Sequence, residues 1–176
     1  MTLQQRAAPI ELMLSDVDGV LTDGSVVFDN QGIELKKFHI TDGLGIQIWR
    51  KAGYRFGMIT GRSSHIVRLR AAELGVELVR QGVEDKLTVV QQVVAELGLK
   101  LQQVCFIGDD LPDLAVVQQV GLGIAVADGC EELRRAAHYV TRRAGGRGAV
   151  REAIEMILKA QGRWDDFVQK YQGRPE

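Results

Sequence analysis

Histidine and cysteine are scarce in this chain of 176 residues, and what little there is does not cluster: three histidines, two cysteines and no CxxC spacing. That removes a zinc site from consideration, since zinc needs several nitrogen or sulfur ligands at close spacing. It also removes a disulfide framework, so Cys105, inside an apolar run, and Cys130, beside charged residues, read as reduced thiols. No strong excess of one charge exists either, the formal balance being -1. A nucleic-acid partner, which calls for concentrated positive charge, is therefore not expected. No apolar stretch is long enough to span a bilayer and the first residues do not resemble a secretory leader, so neither a membrane nor export is expected and the cytoplasm is the default. Internal repeats and low-complexity linkers are missing too. The length suits one compact domain, placed at residues 8–160, with a polar tail over 161–176.

What is present begins at residues 10–23, where a short apolar run delivers two carboxylates, Asp16 and Asp18, into a glycine-containing turn. Neither acid can be buried in a sheet without compensation, so both are expected at the strand's end. Residues 25–38 then read as a β-hairpin around an Asp-Asn-Gln-Gly turn. Asp42 is placed to cap a helix that buries Ile46 and Trp49 and stops at Gly53. Residues 55–60 form a second strand, ending at Thr60-Gly61-Arg62. The helix after it is expected to bury Ile66, Leu69 and Leu74 and to carry Arg68 on its open side. Residues 76–79 read as a third strand and 87–97 as a helix despite their β-branched valines. A fourth strand over 103–108 delivers Asp109, Asp110 and Asp113, with a short helix over 111–119. After another strand and helix, the glycine- and arginine-rich stretch 142–148 reads as a mobile basic loop, and 149–158 as a last helix. Trp164, Phe167 and Tyr171 can anchor the tail to the body or to a neighbouring subunit. Alternation of strand and helix throughout predicts an α/β fold of three layers with helices on both sheet faces.

Three strand-end groups belong together in such a topology: Asp16 with Asp18, Thr60 with Lys86, and Asp109 with Asp113. A hard divalent cation suits the oxygen-rich part, while the Lys86 ammonium and Thr60 hydroxyl suit a phosphoryl group. The chemistry this set supports is attack of the Asp16 carboxylate on phosphorus, with Asp18 donating a proton to the leaving alcohol and later taking one from water. Mg²⁺ and Lys86 would offset the phosphoryl charge, with Asp16 and Asp109 as metal ligands and Asp113 in a supporting place. Taken singly, each aspartate can merely cap a helix or a turn. Asp110 in particular can serve by orienting a backbone turn.

These pieces, Asp16-Val17-Asp18-Gly19-Val20, Thr60-Gly61-Arg62, the isolated Lys86 and Gly108-Asp109-Asp110-Leu111-Pro112-Asp113, resemble the haloacid dehalogenase superfamily. The resemblance implies a Rossmann-like core, the same roles for Asp16, Asp18, Thr60, Lys86 and Asp109, a phosphate-binding place for Gly61, and a metal shell joined by the Asp18 backbone carbonyl. The fuller phrase over 16–24, the hairpin, residues 38–45 and residues 145–152 are similar to the 3-deoxy-D-manno-octulosonate 8-phosphate phosphatase family. That family implies a homotetramer in which hairpins associate and neighbouring subunits close the sites, in agreement with a chain that has no insertion long enough for a large cap domain. Hydrolysis of that sugar acid phosphate is the implied reaction, with Arg62, Arg68 and Asp42 as candidate substrate contacts and the Arg142, Arg143 and Arg147 loop as a weaker one. Two alternatives stay open at this point: a phosphatase for the nine-carbon 2-keto-3-deoxy-D-glycero-D-galacto-nononate 9-phosphate, and a noncatalytic regulatory partner of a sugar nucleotide-forming enzyme.

Overall fold

A computed structural model describes residues 1–172. After a short helix α1 (Leu3–Ala7) come β1 (Leu12–Ser15), the hairpin strands β2 (Val27–Phe28) and β3 (Glu34–Leu35), and then α2 (Ile40–Lys51), β4 (Arg55–Ile59), α3 (His65–Glu73) and β5 (Leu78–Arg80). The second half runs α4 (Lys86–Glu96), β6 (Val104–Gly108), α5 (Leu114–Gln119), β7 (Leu122–Ala125), α6 (Glu131–Ala136), β8 (Tyr139–Val140), α7 (Ala149–Ala160) and α8 (Trp164–Tyr171).

Among the described residues the main sheet has the order β5-β4-β1-β6-β7-β8, and every pairing in it is parallel. From β1 the chain winds outward through β4 and β5, then returns to the other side of β1 for β6, β7 and β8. The order reverses between β1 and β6, which opens a crevice at their carboxyl ends.

Strand period two divides the core between the faces. Met13 joins a cluster with Ile46, Trp49, Ile154 and Ile157, so α2 and α7 cover one face. Leu12 and Leu14 point the other way, onto Val90 and Val93 of α4 and Val116 and Val117 of α5. The three-layer α/β fold is thus present. Helix α4 forms despite its valines because Val90, Val93 and Val94 are buried, and that burial outweighs a propensity cost of about 0.5 kcal/mol each. Ile46 and Trp49 are fully buried as expected, and Gly53 closes α2 with φ +89°.

Several expectations need correction. Leu69 is exposed on α3, and Val67 and Ala71 supply the buried contacts instead. The third strand pairs over Leu78–Arg80 rather than 76–79, and the short helix begins as a 3-10 turn over Leu111–Asp113. The hairpin pairs only Val27 with Leu35 and Phe28 with Glu34. Its wide turn is closed by Asp29, whose carboxylate accepts from the Gln31 and Ile33 amides at 2.8 Å each.

Asp42 does not cap its own helix: it lies inside α2, 1% exposed, and accepts from the backbone amides of Gly148 (3.1 Å) and Arg151 (2.8 Å). It therefore serves as the N-terminal cap of α7, where the residue at the cap position is a glycine with no side chain to offer. Both of its carboxylate oxygens are thus engaged by backbone amides.

The stretch 142–148 is fastened rather than mobile. Glu152 accepts from the amides of Arg142 (2.8 Å) and Arg143 (3.0 Å), Asp128 accepts from the Gly145 amide (2.9 Å), and the Val20 carbonyl accepts from the Gly146 amide (2.8 Å). Glycine is required at residue 145, where a Cβ would come within 1.7 Å of the Gly19 carbonyl oxygen. The tail forms a helix: Phe167 enters the core and Trp164 lies under the Arg151 guanidinium at 5.0 Å, while Tyr171 is exposed and residues 173–176 fall outside the described chain. Among the described residues no helix is long and apolar enough to cross a membrane.

Candidate active site

Four side chains meet at the carboxyl ends of the central strands. Asp16 follows β1, Asp109 follows β6, Lys86 opens α4 and Asp113 closes the 3-10 turn. The Lys86 ammonium, 3% exposed, reaches Asp16 Oδ2 at 2.7 Å and Asp113 Oδ1 at 2.6 Å. Asp113 Oδ2 accepts from the Asp109 amide at 3.0 Å, and Asp16 Oδ1 accepts from the Val17 amide at 2.6 Å. The turn after β1 passes so close to Asp109 that a Cβ on Gly19 would lie 2.0 Å from its Oδ2; Gly19 also has φ +86°, so glycine is required twice over.

Asp16, Asp109 and Asp113 each present an oxygen, all within 4.8 Å of one another, and Lys86 is ion-paired with Asp16 and Asp113. Burial raises the Asp16 carboxyl to about 6, with Asp113 adding to the rise and Lys86 opposing it. Burial likewise lifts Asp109 to about 7, helped by Asp16 and Asp113. Lys86 is desolvated too, yet its carboxylate partners hold its ammonium above the ordinary range. The set is short of positive charge, and an oxygen-only donor group of this kind fits a hard divalent cation.

A stability test follows from these directions. Without metal, Asp16 and Asp109 bind protons more tightly folded than unfolded. Their contribution is therefore complete below pH about 4 and lost as pH rises through about 6 and 7. A divalent cation should offset that loss. The rise in melting temperature on adding Mg²⁺ is expected to be larger at pH 8 than at pH 5, and equal rises would count against the charge deficit.

Asp18 stands apart from this cluster. Its Oδ1 takes a short ion pair from Lys36, and its Oδ2 lies 3.9 Å from Arg62 Nε, buried and with no hydrogen bond among the described residues. Arg62 also meets Glu34 at 2.8 Å, and Glu34 accepts from the Ser64 hydroxyl at 2.6 Å. Thr60 is buried at the end of β4, its amide donating to the Arg80 carbonyl at 3.0 Å and its carbonyl accepting from the Val83 amide at 3.1 Å. Gly61 follows it, exposed, with room for a Cβ.

Of the residues singled out in the sequence, then, Asp16, Lys86, Asp109 and Asp113 come together, Arg62 sits beside Asp18, and Thr60 lies at the end of the strand next to β1. Asp110 is exposed and caps the 3-10 turn, accepting from the Leu111 amide at 2.8 Å. Arg68 is exposed on α3 and joins none of these interactions. Glu34 and Lys36 were not foreseen. A signal for them exists in the sequence: Glu34 and Lys36, opposite charges at alternate positions of one arm, fall on the same side of an extended chain. The fold-back of that arm onto Asp18 was the part that could not be read.

The comparisons agree with this geometry. A family profile of haloacid dehalogenase-like hydrolases matches residues 69–154. The chain is 48% identical over 157 residues to the 3-deoxy-D-manno-octulosonate 8-phosphate phosphatase of Yersinia pestis, covering 89% of this chain and 84% of that protein. It is 43% identical to the Escherichia coli K12 protein of the same name, over 92% of this chain and 86% of that one. The crystal structure of the Moraxella catarrhalis phosphatase, in complex with magnesium ion, phosphate ion and KDO, superposes with a TM-score of 0.95 at 46% identity, covering 96% of this chain and 97% of the other. With relatives this similar along nearly their whole length, and with an all-parallel sheet carrying the acids at its switch point, the chain belongs to the 3-deoxy-D-manno-octulosonate 8-phosphate phosphatase family of the haloacid dehalogenase-like hydrolases.

Proposed function

We propose that this protein hydrolyses 3-deoxy-D-manno-octulosonate 8-phosphate to the free sugar acid and inorganic phosphate, with Mg²⁺ as the metal and an aspartyl-phosphate intermediate on Asp16. The observation that carries the reading is the separation of two carboxylate environments: Asp16 is gripped by Lys86 inside the acidic cluster, while Asp18 is held outside it with one oxygen that accepts no hydrogen bond among the described residues. Two acids in unlike surroundings suit two roles.

In this mechanism Asp16 attacks phosphorus. The bond to the sugar C8 oxygen breaks as the bond to the carboxylate oxygen forms, and Asp18 gives its proton to the departing alkoxide. Asp18 then takes a proton from water, which attacks the same phosphorus, releases phosphate and regenerates the Asp16 carboxylate. Lys86 holds Asp16 in place and, with the Thr60 hydroxyl and the Gly61 backbone, faces the phosphoryl oxygens. Asp16, Asp109 and the Asp18 backbone carbonyl would hold the cation, with Asp113 orienting Lys86 and Asp109. When bound, Mg²⁺ supplies positive charge against the phosphoryl oxygens and the crowded carboxylates. Arg62 is the candidate for the substrate's carboxylate or hydroxyls.

Residues 8–160 form the phosphatase domain in this reading, and the working form is a cytoplasmic homotetramer. Support for assembly comes from the hairpin, where Val26, Val27, Phe28, Ile33 and Leu35 are each about half exposed, an apolar surface that favours burial. The deciding experiment compares kcat/KM on the eight-carbon and nine-carbon sugar acid phosphates and on simple phosphate esters, with Mg²⁺ present. A clear preference for the eight-carbon substrate is expected. Preference for the nine-carbon one would reverse the assignment, and absence of phosphate release from all of them would end the enzymatic reading.

A further inference from the structure

Four charged side chains close a ring at the mouth of the site. Lys36 pairs with Asp18 Oδ1 and lies 3.2 Å from Glu34 Oε1; Glu34 Oε1 lies 2.8 Å from Arg62 Nη2; Arg62 Nε returns to Asp18 Oδ2 at 3.9 Å. Two members belong to the body and two to the hairpin arm. Lys36 is the buried one, with a side chain 2% exposed, whereas Arg62 is 42% exposed. A lysine is seldom taken out of water to this degree unless its partners are fixed.

The arrangement treats the two Asp18 oxygens differently. Oδ1 is committed to Lys36, and Oδ2 is buried without a hydrogen bond among the described residues. A buried acceptor without a hydrogen bond, its nearest cation Arg62 Nε being 3.9 Å away, is costly in a structure and is most readily explained at a site where another molecule supplies the missing contact. Because Oδ1 is held, rotation of the carboxyl group is restricted and Oδ2 keeps one direction. Glu34 prevents Lys36 from acting on Asp18 as an unshared cation: one ammonium lies between two carboxylates. The hydrogen bond from Ser64, then the neighbouring Lys36 and Arg62, hold the Glu34 carboxyl below its ordinary range, so Glu34 is an anion at neutral pH.

We infer that Lys36 and Glu34 are positioning residues for proton transfer, fixing Asp18 so that Oδ2 is the atom that carries the proton to the leaving oxygen. The inference rests on the phosphatase reading above and adds to it a dependence of the acid step on the hairpin. The arm that presents the apolar patch also holds the carboxyl group that must meet the substrate oxygen, so a displaced hairpin costs the chemistry as well as the surface. Lys36 itself pairs with Asp18 and Glu34 and not with the acids around Lys86.

The test exploits leaving groups. Expulsion of a sugar alkoxide needs a proton, while expulsion of p-nitrophenolate needs little help. Lys36→Met, Lys36→Arg and Glu34→Gln are purified with Mg²⁺ and assayed on the sugar acid phosphate and on p-nitrophenyl phosphate, alongside circular dichroism and oligomer mass. Lys36→Met is expected to lower kcat on the sugar phosphate by about 10²-fold. The fall on the aryl ester should be at least about tenfold smaller, KM for the sugar phosphate should change little, and Lys36→Arg should recover part of the loss. Equal falls on both esters, or an unchanged rate on the sugar phosphate, would overturn the positioning role. If Lys36→Met does not fold, Glu34→Gln, which keeps the shape and the bond from Ser64, decides by the same ratio. The parent reading is judged separately on the unmodified protein. Should that protein ignore the eight-carbon sugar phosphate but cleave another alkyl phosphate, the substrate assignment fails and the ratio is read on that alkyl ester.

Discussion

Asp16→Asn is expected to reduce turnover by at least about 10⁴-fold and, in metal-free buffer at pH 8, to raise the melting temperature. The first effect follows from replacing a nucleophilic carboxylate by an amide that cannot form the acyl phosphate. The second follows from the site's charge. Asp16 is one of three clustered acids, and burial pushes its carboxyl to about 6, so at pH 8 the folded protein carries it as an anion against its preference. Asparagine keeps the shape and an acceptor for the Val17 amide, now 2.6 Å away, without that charge. Kinetics with the saturating sugar phosphate and a thermal melt of the same sample check both parts. A variant that retained its rate would remove Asp16 as nucleophile. A variant both inactive and less stable would show that the Lys86 contact outweighs the strain of the crowded acids.

Lys86→Met should do the reverse for stability. It leaves Asp16 and Asp113, both buried, without the cation that stands between them at 2.7 and 2.6 Å. Removing one partner of a buried pair typically costs about 3–5 kcal/mol, because the remaining charge has neither water nor a counter-ion. The loss should be largest above pH 7 and smaller near pH 5, where Asp16 takes a proton. Mg²⁺ should recover part of it, and turnover should fall because no ammonium faces the phosphoryl oxygens. Urea titrations at the two pH values, with and without Mg²⁺, measure this directly. Equal stability to the parent protein under all four conditions would mean that the lysine is not the keystone of the acidic cluster.

The two variants together separate what the site needs for catalysis from what it needs for folding. Neutralising one acid is expected to bring a gain in stability because others remain, and removing the lysine a loss. Such opposition between activity and stability is expected where a site gathers like charges for chemistry.

Much of this was legible in the sequence because it depends on local pattern. Alternation in Leu12, Met13 and Leu14 splits the core between two faces, and Ile46 with Trp49 marks the inner side of α2. Asp16 and Asp109 sit where apolar strands end and Lys86 where a helix begins, so the topology gathers them. What could not be read depends on partners far along the chain. Asp42 looks like a local cap, yet its acceptors serve Gly148 and Arg151, more than a hundred residues later. The glycines at 145 and 146 look like a loose linker, yet they are small because the turn at Gly19 to Asp23 presses against them. Leu69 looks like core by spacing, but α3 turns Val67 and Ala71 inward. Lys36 looks like a surface charge and is buried only because the hairpin folds back onto Asp18.

The remote capping by Asp42 bears on how the chain is made. A ribosome-bound chain that has emerged only as far as β8 already exposes α2, yet the two amides that occupy this acid still lie inside the ribosome. Until residue 151 leaves the exit tunnel, the acid must stay wet, and the face of the sheet that α7 covers must stay open with it. Closure of this face is therefore expected to await release of the C-terminal segment, rather than emergence of the motif near the beginning of the chain.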